Sequence, residues 1–317
     1  MSASSPSLAV PARVIPVPST VSVIAQKFLA AAVLRTEKID WTQETIATTN
    51  RHLAERCAAL PRLFPAEIAP RRLSKATLYE ITSNAAAKID QARAVLYVHG
   101  GAYLVGGGLL AAHMALPVAA MAACRVYSID YRMPPQDPFP AALDDALEAY
   151  RHLLGRFAPK SVAIYGGSAG GGLAAALILK ARDLGLPLPG AAVLVTPEAD
   201  LTESGDTFET NAIIDVVLQQ RLTDSIALYA GGHDLKDPYL SPVFGDFTKG
   251  FPPTILLSGT RDLFLSNTVI LHRALRRAGI VAELHVFEAM PHGGFGGAPE
   301  DAECLAEQIR FMNEHLA

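Results

Sequence analysis

Cysteine is scarce in this chain: Cys57, Cys124 and Cys304 are the only three among 317 residues, widely spaced and without a C-x-x-C pair. An odd, scattered set offers neither a disulfide framework nor a zinc module and reads as reduced, structural thiols. Charge is sparse as well. Asp, Glu, Lys and Arg make up 18% with a net charge of −4, which excludes the basic footprint of a nucleic-acid binder. No apolar run reaches the roughly 18 residues of a membrane span. The sequence holds no P-loop and no H-E-x-x-H, so phosphate and metal chemistry have no residues to carry them, and neither a metal nor a cofactor is expected. Residues 1–19 lack the basic start of a secretory signal, and the apolar run at 21–34 is interrupted by Gln26 and Lys27. This stretch reads as a mature cytoplasmic N-terminus. What is abundant is apolar: 50% of the chain, enough for a large core in one or two domains.

Two helical stretches open the chain. Residues 21–34 place Ile24, Phe28 and Ala31 on one apolar stripe, and a more polar stretch follows at 41–60. From about Ala76 short apolar runs at 76–81, 94–99, 125–130, 161–165, 191–196, 254–258 and 281–287 read as strands. Helical patterns lie between and after them at 141–156, 169–184, 266–278 and 300–315. Such alternation predicts an α/β fold, a mostly parallel central sheet flanked by helices. It fails once, between Thr196 and Thr254, where a polar stretch with a predicted helix at 211–229 interrupts it. An insertion there is most simply a lid over the C-terminal edge of the sheet. The expected division is therefore an N-terminal cap piece at 1–52 and a catalytic domain at 53–317, with a cap insertion at about 203–238.

Gly166-Gly167-Ser168-Ala169-Gly170 is a G-x-S-x-G lying directly after a strand and directly before a helix. A serine on so tight a turn takes a strained backbone conformation and stands exposed, with glycines leaving room for strand and helix to cross. A nucleophilic serine needs a base, and the base needs an orienting acid. His292, in the loop Met290-Pro291-His292-Gly293-Gly294 after the last strand, is the best-placed of nine histidines. His285 lies inside a strand and His315 on the terminal helix, so both read as structural or solvated. Asp262 follows the strand at 254–258 and gives the order Ser168, Asp262, His292 expected of an α/β-hydrolase. Glu198 also follows a strand end and is the rival acid. The oxyanion donors are sought in the loop His99-Gly100-Gly101-Ala102-Tyr103: the amides of Gly100, Gly101 and Ala102, joined by that of Ala169.

These residues, with Asp130-Tyr131-Arg132-Met133-Pro134-Pro135 and Phe139-Pro140-Ala141-Ala142-Leu143-Asp144-Asp145, make the chain from about residue 76 onward resemble the hormone-sensitive-lipase-like (bacterial HSL, family IV) carboxylesterases of the α/β-hydrolase fold. The resemblance implies a helical cap, structural roles for Asp130, Asp144 and Asp145, and serine-dependent hydrolysis of carboxylic esters. Three departures stand out. Ala102 replaces the third glycine of H-G-G-G, Gly167 the usual acidic residue before the serine, and Gly172 the usual asparagine. Each bears on substrate preference more than on the reaction. The loops around Asp262 and His292 also resemble those of monoterpene lactone hydrolases.

Two other readings compete. Gly170-x-Gly172-x-x-Ala175 could pass for a nucleotide-binding turn, but its glycines lie inside the helix. A non-catalytic ligand binder on this fold would lose a triad member, whereas all three are present. The expectation is a serine carboxylesterase for short- to medium-chain esters, with a lactone hydrolase as alternative. Its partner would be a small-molecule ester, with no nucleic acid, no membrane span, and a homodimer as one option. The apolar segment Ile213, Ile214, Val216, Val217 and Leu218 suggests an uncharged lid over an uncharged substrate.

Overall fold

The computed structural model describes Leu8, Ala12 and residues 14–34, 39–85 and 88–317. Part of the expected N-terminal cap piece, residues 1–52, thus lies outside the described residues. Three helices come first, α1 (Val23–Ala30), α2 (Gln43–Cys57) and α3 (Leu60–Leu63). The sheet contains β1 (Ala66–Arg72), β2 (Thr77–Ser83), β3 (Asp90–Val98), β4 (Cys124–Asp130), β5 (Val162–Gly167), β6 (Ala191–Val195), β7 (Thr254–Gly259) and β8 (Ala282–Phe287). The remaining helices are α4 (Leu109–Ala122), α5 (Ala141–Leu154), α6 (Ala169–Asp183), α7 (Thr207–Thr210), α8 (Thr223–Ala230), α9 (Leu265–Arg277) and α10 (Pro299–His315).

The strand order is β1-β2-β4-β3-β5-β6-β7-β8. β1 and β2 run antiparallel to their neighbours, and every pairing from β4 to β8 is parallel. Parallel strands need covered faces, and side-chain alternation supplies two cores. Leu96 and Val98 of β3 point into a core with α5, α6 and α9, whereas Val95 and Tyr97 point into one with α1, α4 and α10. Both sets are almost wholly buried. At about 1.5–3 kcal/mol for each large apolar side chain removed from water, these layers supply the main drive to fold.

Among elements longer than four residues, sequence patterning misses two. β1 contains Pro70, which a central strand would not tolerate; it is accepted because β1 is the sheet's edge. α4 is buried along most of its surface, from Leu110 to Ala119, and contains Pro117, so it shows no amphipathic period. Two other expectations need correction. The buried face of α1 carries Ala25 and Leu29, with Val21 just ahead of the helix and Phe28 beside them, while Ile24 is 53% exposed, so the stripe sits one position away from the one expected. The helix expected at 211–229 is not continuous: α7 ends at Thr210 and α8 begins at Thr223. Between them Ile213 has φ 67°, and the Asp215 carboxylate accepts the N–H groups of Val217 and Leu218 at 2.9 and 3.0 Å. A short acid that bonds its own following backbone competes with helix there.

The two ends of the chain meet. Glu300, in the first turn of α10, accepts the Ser22 N–H at 2.6 Å and the Ser22 hydroxyl at 2.8 Å, across 278 positions. Ser22 is also the N-cap of α1. No helix of the described residues is long and apolar enough to cross a membrane.

Candidate active site

β5 ends at Gly167 and α6 begins at Ala169, leaving Ser168 alone on the turn with φ 57° and ψ −128°. The glycines explain how so sharp a turn is reached. A Cβ on Gly166 would lie 2.1 Å from the Gly170 carbonyl oxygen, and one on Gly170 would lie 2.1 Å from the Val98 carbonyl oxygen. Strand, helix and the neighbouring strand end approach more closely than any side chain permits. The Ser168 N–H is tied to the Val195 carbonyl at 2.9 Å, and its own carbonyl accepts the Glu198 N–H at 3.0 Å.

The loops after β7 and β8 bring the other two groups to this point. His292 Nε2 lies 2.8 Å from Ser168 Oγ, and His292 Nδ1 lies 3.0 Å from Asp262 Oδ1. Asp262 is fully buried, and its second oxygen accepts the Ser258 hydroxyl at 2.6 Å while Oδ1 also accepts the Phe264 N–H at 2.9 Å. The Phe264 ring stands edge-on to the imidazole at 4.9 Å between centroids. Three expected residues, Ser168, Asp262 and His292, are therefore in one hydrogen-bonded line.

The oxyanion candidates are close by. A Cβ on Gly100 would fall 3.1 Å from the Ser168 Cβ, which puts that loop against the serine. Gly101, Ala102 and Tyr103 all have positive φ, at 121°, 52° and 60°, so the chain curls after β3. Ala169 starts its helix, where first-turn N–H groups have no intrahelical acceptor and negative charge is favoured. His99 supports this loop from beneath. It is buried against the Tyr131 ring at 4.1 Å, its Nδ1 is 2.8 Å from the Gly100 carbonyl, and burial pushes its pKa down to about 4, so it stays neutral. From the N-terminal helices, Asn50 Oδ1 accepts the Gly106 N–H at 2.8 Å.

Glu198, the rival acid, is buried with both carboxylate oxygens unpartnered among the described residues. Burial above all, then the charge of Glu203, raises its pKa to about 8, with His292 pulling the other way. Burial would lower the His292 pKa, but the charge and hydrogen bond of Asp262, with Asp215 and Glu198 behind them, carry it above its ordinary value. Asp145 is a structural acid, as expected: it holds Arg132 through the backbone N–H, Nε and Nη2.

Asp215, Ser258 and Asn211 escape sequence reasoning. Asp215 is fully buried in the insertion and accepts N–H bonds from His292 and Leu263. Asn211 donates to the Asp262 carbonyl at 2.9 Å and to that of Thr260 at 3.2 Å. The segment expected to be uncharged therefore carries a carboxylate. Its signal was present: one acid inside the run Ile213-Ile214-Asp215-Val216-Val217-Leu218.

A family model described as the alpha/beta hydrolase fold matches residues 95–295, from the middle of β3 past His292. The chain belongs to that family. The α/β-hydrolase shares 36% identity over 63% of its length with a protein named acetyl-hydrolase from Streptomyces hygroscopicus, of which it covers 67%. The solved structure of an esterase called E25 superposes with a TM-score of 0.91 at 33% identity, covering 98% of this chain and 99% of that one. An esterase from the bacterial hormone-sensitive lipase family superposes at 0.82 and 29% identity, covering 93% and 99%. With the fold and sequence motifs in agreement, this α/β-hydrolase sits in the hormone-sensitive-lipase-like branch.

Proposed function

We propose that Ser168 is the nucleophile, His292 the general base and acid, and Asp262 the orienting acid of an ester-hydrolysing triad. The α/β-hydrolase is a carboxylic ester hydrolase, in line with its esterase and acetyl-hydrolase relatives. The observation that carries the residue assignment is the pair of distances about one imidazole, 2.8 Å to Ser168 Oγ and 3.0 Å to Asp262 Oδ1. Ser168 Oγ attacks the ester carbonyl as Nε2 takes its proton. The oxyanion settles on amides of Gly100, Gly101, Ala102 and Ala169. The imidazolium, stabilised by Asp262, gives the proton to the departing alcohol, and a water activated by the same Nε2 then releases the acid.

The substrates in this reading are short- to medium-chain esters, and the cap is built from residues 1–52 and 203–238. Supporting it, Phe28, Val33 and Trp41 of the first piece and Phe208, Val216 and Leu218 of the second line one cleft of about 800 Å³. Gln219 Nε2 reaches the Val33 carbonyl across it at 2.9 Å. Phe208 packs against the buried Phe264, which packs against His292, so one ring separates the wall of the cleft from the imidazole. A mostly apolar, bounded site suits modest acyl chains and loses rate when volume runs out. A panel of p-nitrophenyl esters from acetate to palmitate, with one terpene lactone, tests this. Peak turnover at short to medium length is expected, and peak turnover on palmitate overturns the chain-length reading. A homodimer located in the cytoplasm completes the proposal, to be checked by sedimentation and cell fractionation.

A further inference from the structure

We propose that Asp215 is a positioning residue for hydrolysis: its buried carboxylate pins the backbones of both triad loops to the insertion, so that the base and its acid keep their spacing only while the insertion is docked. This rests on the triad reading above. The geometry is specific. Asp215 Oδ2 accepts the Leu263 N–H at 2.9 Å, one residue beyond Asp262. The His292 N–H is shared by Oδ1 and Oδ2 at 3.2 Å each. Oδ1 also receives Val217 and Leu218 from its own segment at 2.9 and 3.0 Å. One carboxylate thus gathers four backbone donors from three separate stretches of chain, with no exposure to solvent. Asn211, from the same insertion, adds its bond to the Asp262 carbonyl at 2.9 Å.

Such an arrangement is not accounted for by folding of the insertion alone, which uses only the Val217 and Leu218 donors. Nor is it a cation site. The ligand atoms of Asp215, Asp262 and His292 lie within 4.8 Å of one another, yet both carboxylates are already committed to N–H and O–H donors. Four donors favour a charged carboxylate, opposing the burial that pushes the Asp215 pKa up. When ionised it acts on His292 together with Asp262 after β7, while Glu198 after β6 adds its charge only as it loses its proton near pH 8 and Ser168 faces Nε2 from the elbow. Backbone position and charge are therefore delivered by the same group.

The test compares Asp215→Asn with wild type on p-nitrophenyl butyrate from pH 5 to 9. Removing one negative charge is expected to move the acid limb of kcat/KM to lower pH. The looser loops are expected to lower kcat by about tenfold or more with KM changed by less than about threefold. A folded variant with the wild-type pH profile and kcat, altered only in Tm, overturns the proposal, since that is all a structural role would move. Should the variant not fold, amide hydrogen exchange on the wild type decides. The His292 and Leu263 amides are expected to exchange as slowly as those of Val217 and Leu218, and exchange of the former pair orders of magnitude faster overturns the proposal. Fluorophosphonate labelling of wild type, mapped by peptide, separates the two readings. An unlabelled Ser168 sinks the triad assignment, whereas a labelled Ser168 with an indifferent Asp215→Asn sinks this inference alone.

Discussion

The loops that follow β5, β7 and β8 and the long stretch between β6 and β7 meet around the same imidazole, yet they are built on different principles. In the first group each functional residue sits one to five positions past the end of a strand, and its place is dictated by the strand that delivers it. Strand ends bring Ser168, Asp262 and His292 within reach of one another, and Asp215 then holds the loops after β7 and β8. In the second group no strand or long helix sets position; α7 and α8 span four and eight residues. The insertion is held instead by side chains, Asp215 and Asn211 reaching outward onto the triad loops and Glu203 tying the segment to itself through the Leu222 N–H at 2.6 Å. A framework of strands tolerates loss of one contact, whereas a segment tied by a few buried polar groups depends on each of them.

The sharpest way to test the framework side is at the nucleophile. Ser168→Ala is expected to lower kcat by at least about 10⁴-fold and to abolish fluorophosphonate labelling while leaving Tm nearly unchanged; retained labelling would displace the nucleophile. Next comes the acid. Asp262→Asn is expected to cost about 10⁴-fold in kcat because the imidazole loses its tautomer and orientation, and Glu198→Gln no more than about tenfold. A reversal of the two, measured on a short-chain ester, would make Glu198 the third triad member. Glu198 carries a pH signature of its own. With its folded pKa raised to about 8 from an ordinary value near 4.5, the folded state holds the extra proton between these values, so stability falls as pH climbs through that window. Glu198→Gln removes the titration, and its Tm relative to wild type is expected to rise steadily from pH 5 to pH 8; a constant difference would show that the carboxyl titrates normally. The smallest effect belongs to the N-terminal side. Asn50→Ala leaves the Gly106 N–H without its acceptor and is expected to cost about 1 kcal/mol of stability and a few-fold in kcat, read by urea melts and initial rates.

This division also explains what could be seen without coordinates. Seven of the strands and the helices at 141–156, 169–184, 266–278 and 300–315 announce themselves through apolar periodicity, since each buries one face or one run. The triad candidates follow from those boundaries and from the glycines around Ser168. α4 escaped because a helix buried along most of its surface has no period to detect, and β1 because Pro70 argues against a strand unless the strand is known to be an edge. Asp215 and Asn211 escaped for a different reason. Their roles are long-range: Asp215 lies 77 positions from His292 and Asn211 lies 51 from Asp262. A lone acid within Ile213–Leu218 was the visible mark, but nothing local says which backbones it will meet.

The clasp between Ser22 and Glu300 has a consequence for how the protein is made. A chain emerging N-terminus first presents α1 long before its anchor on α10 exists, and at about 5–20 residues per second the 278 intervening positions take on the order of tens of seconds to appear. Over that interval Val21, Ala25 and Leu29, which end up buried, have no finished surface to cover them. The sheet and the elbow can begin to assemble while the first helix waits, and it docks only once α10 has formed.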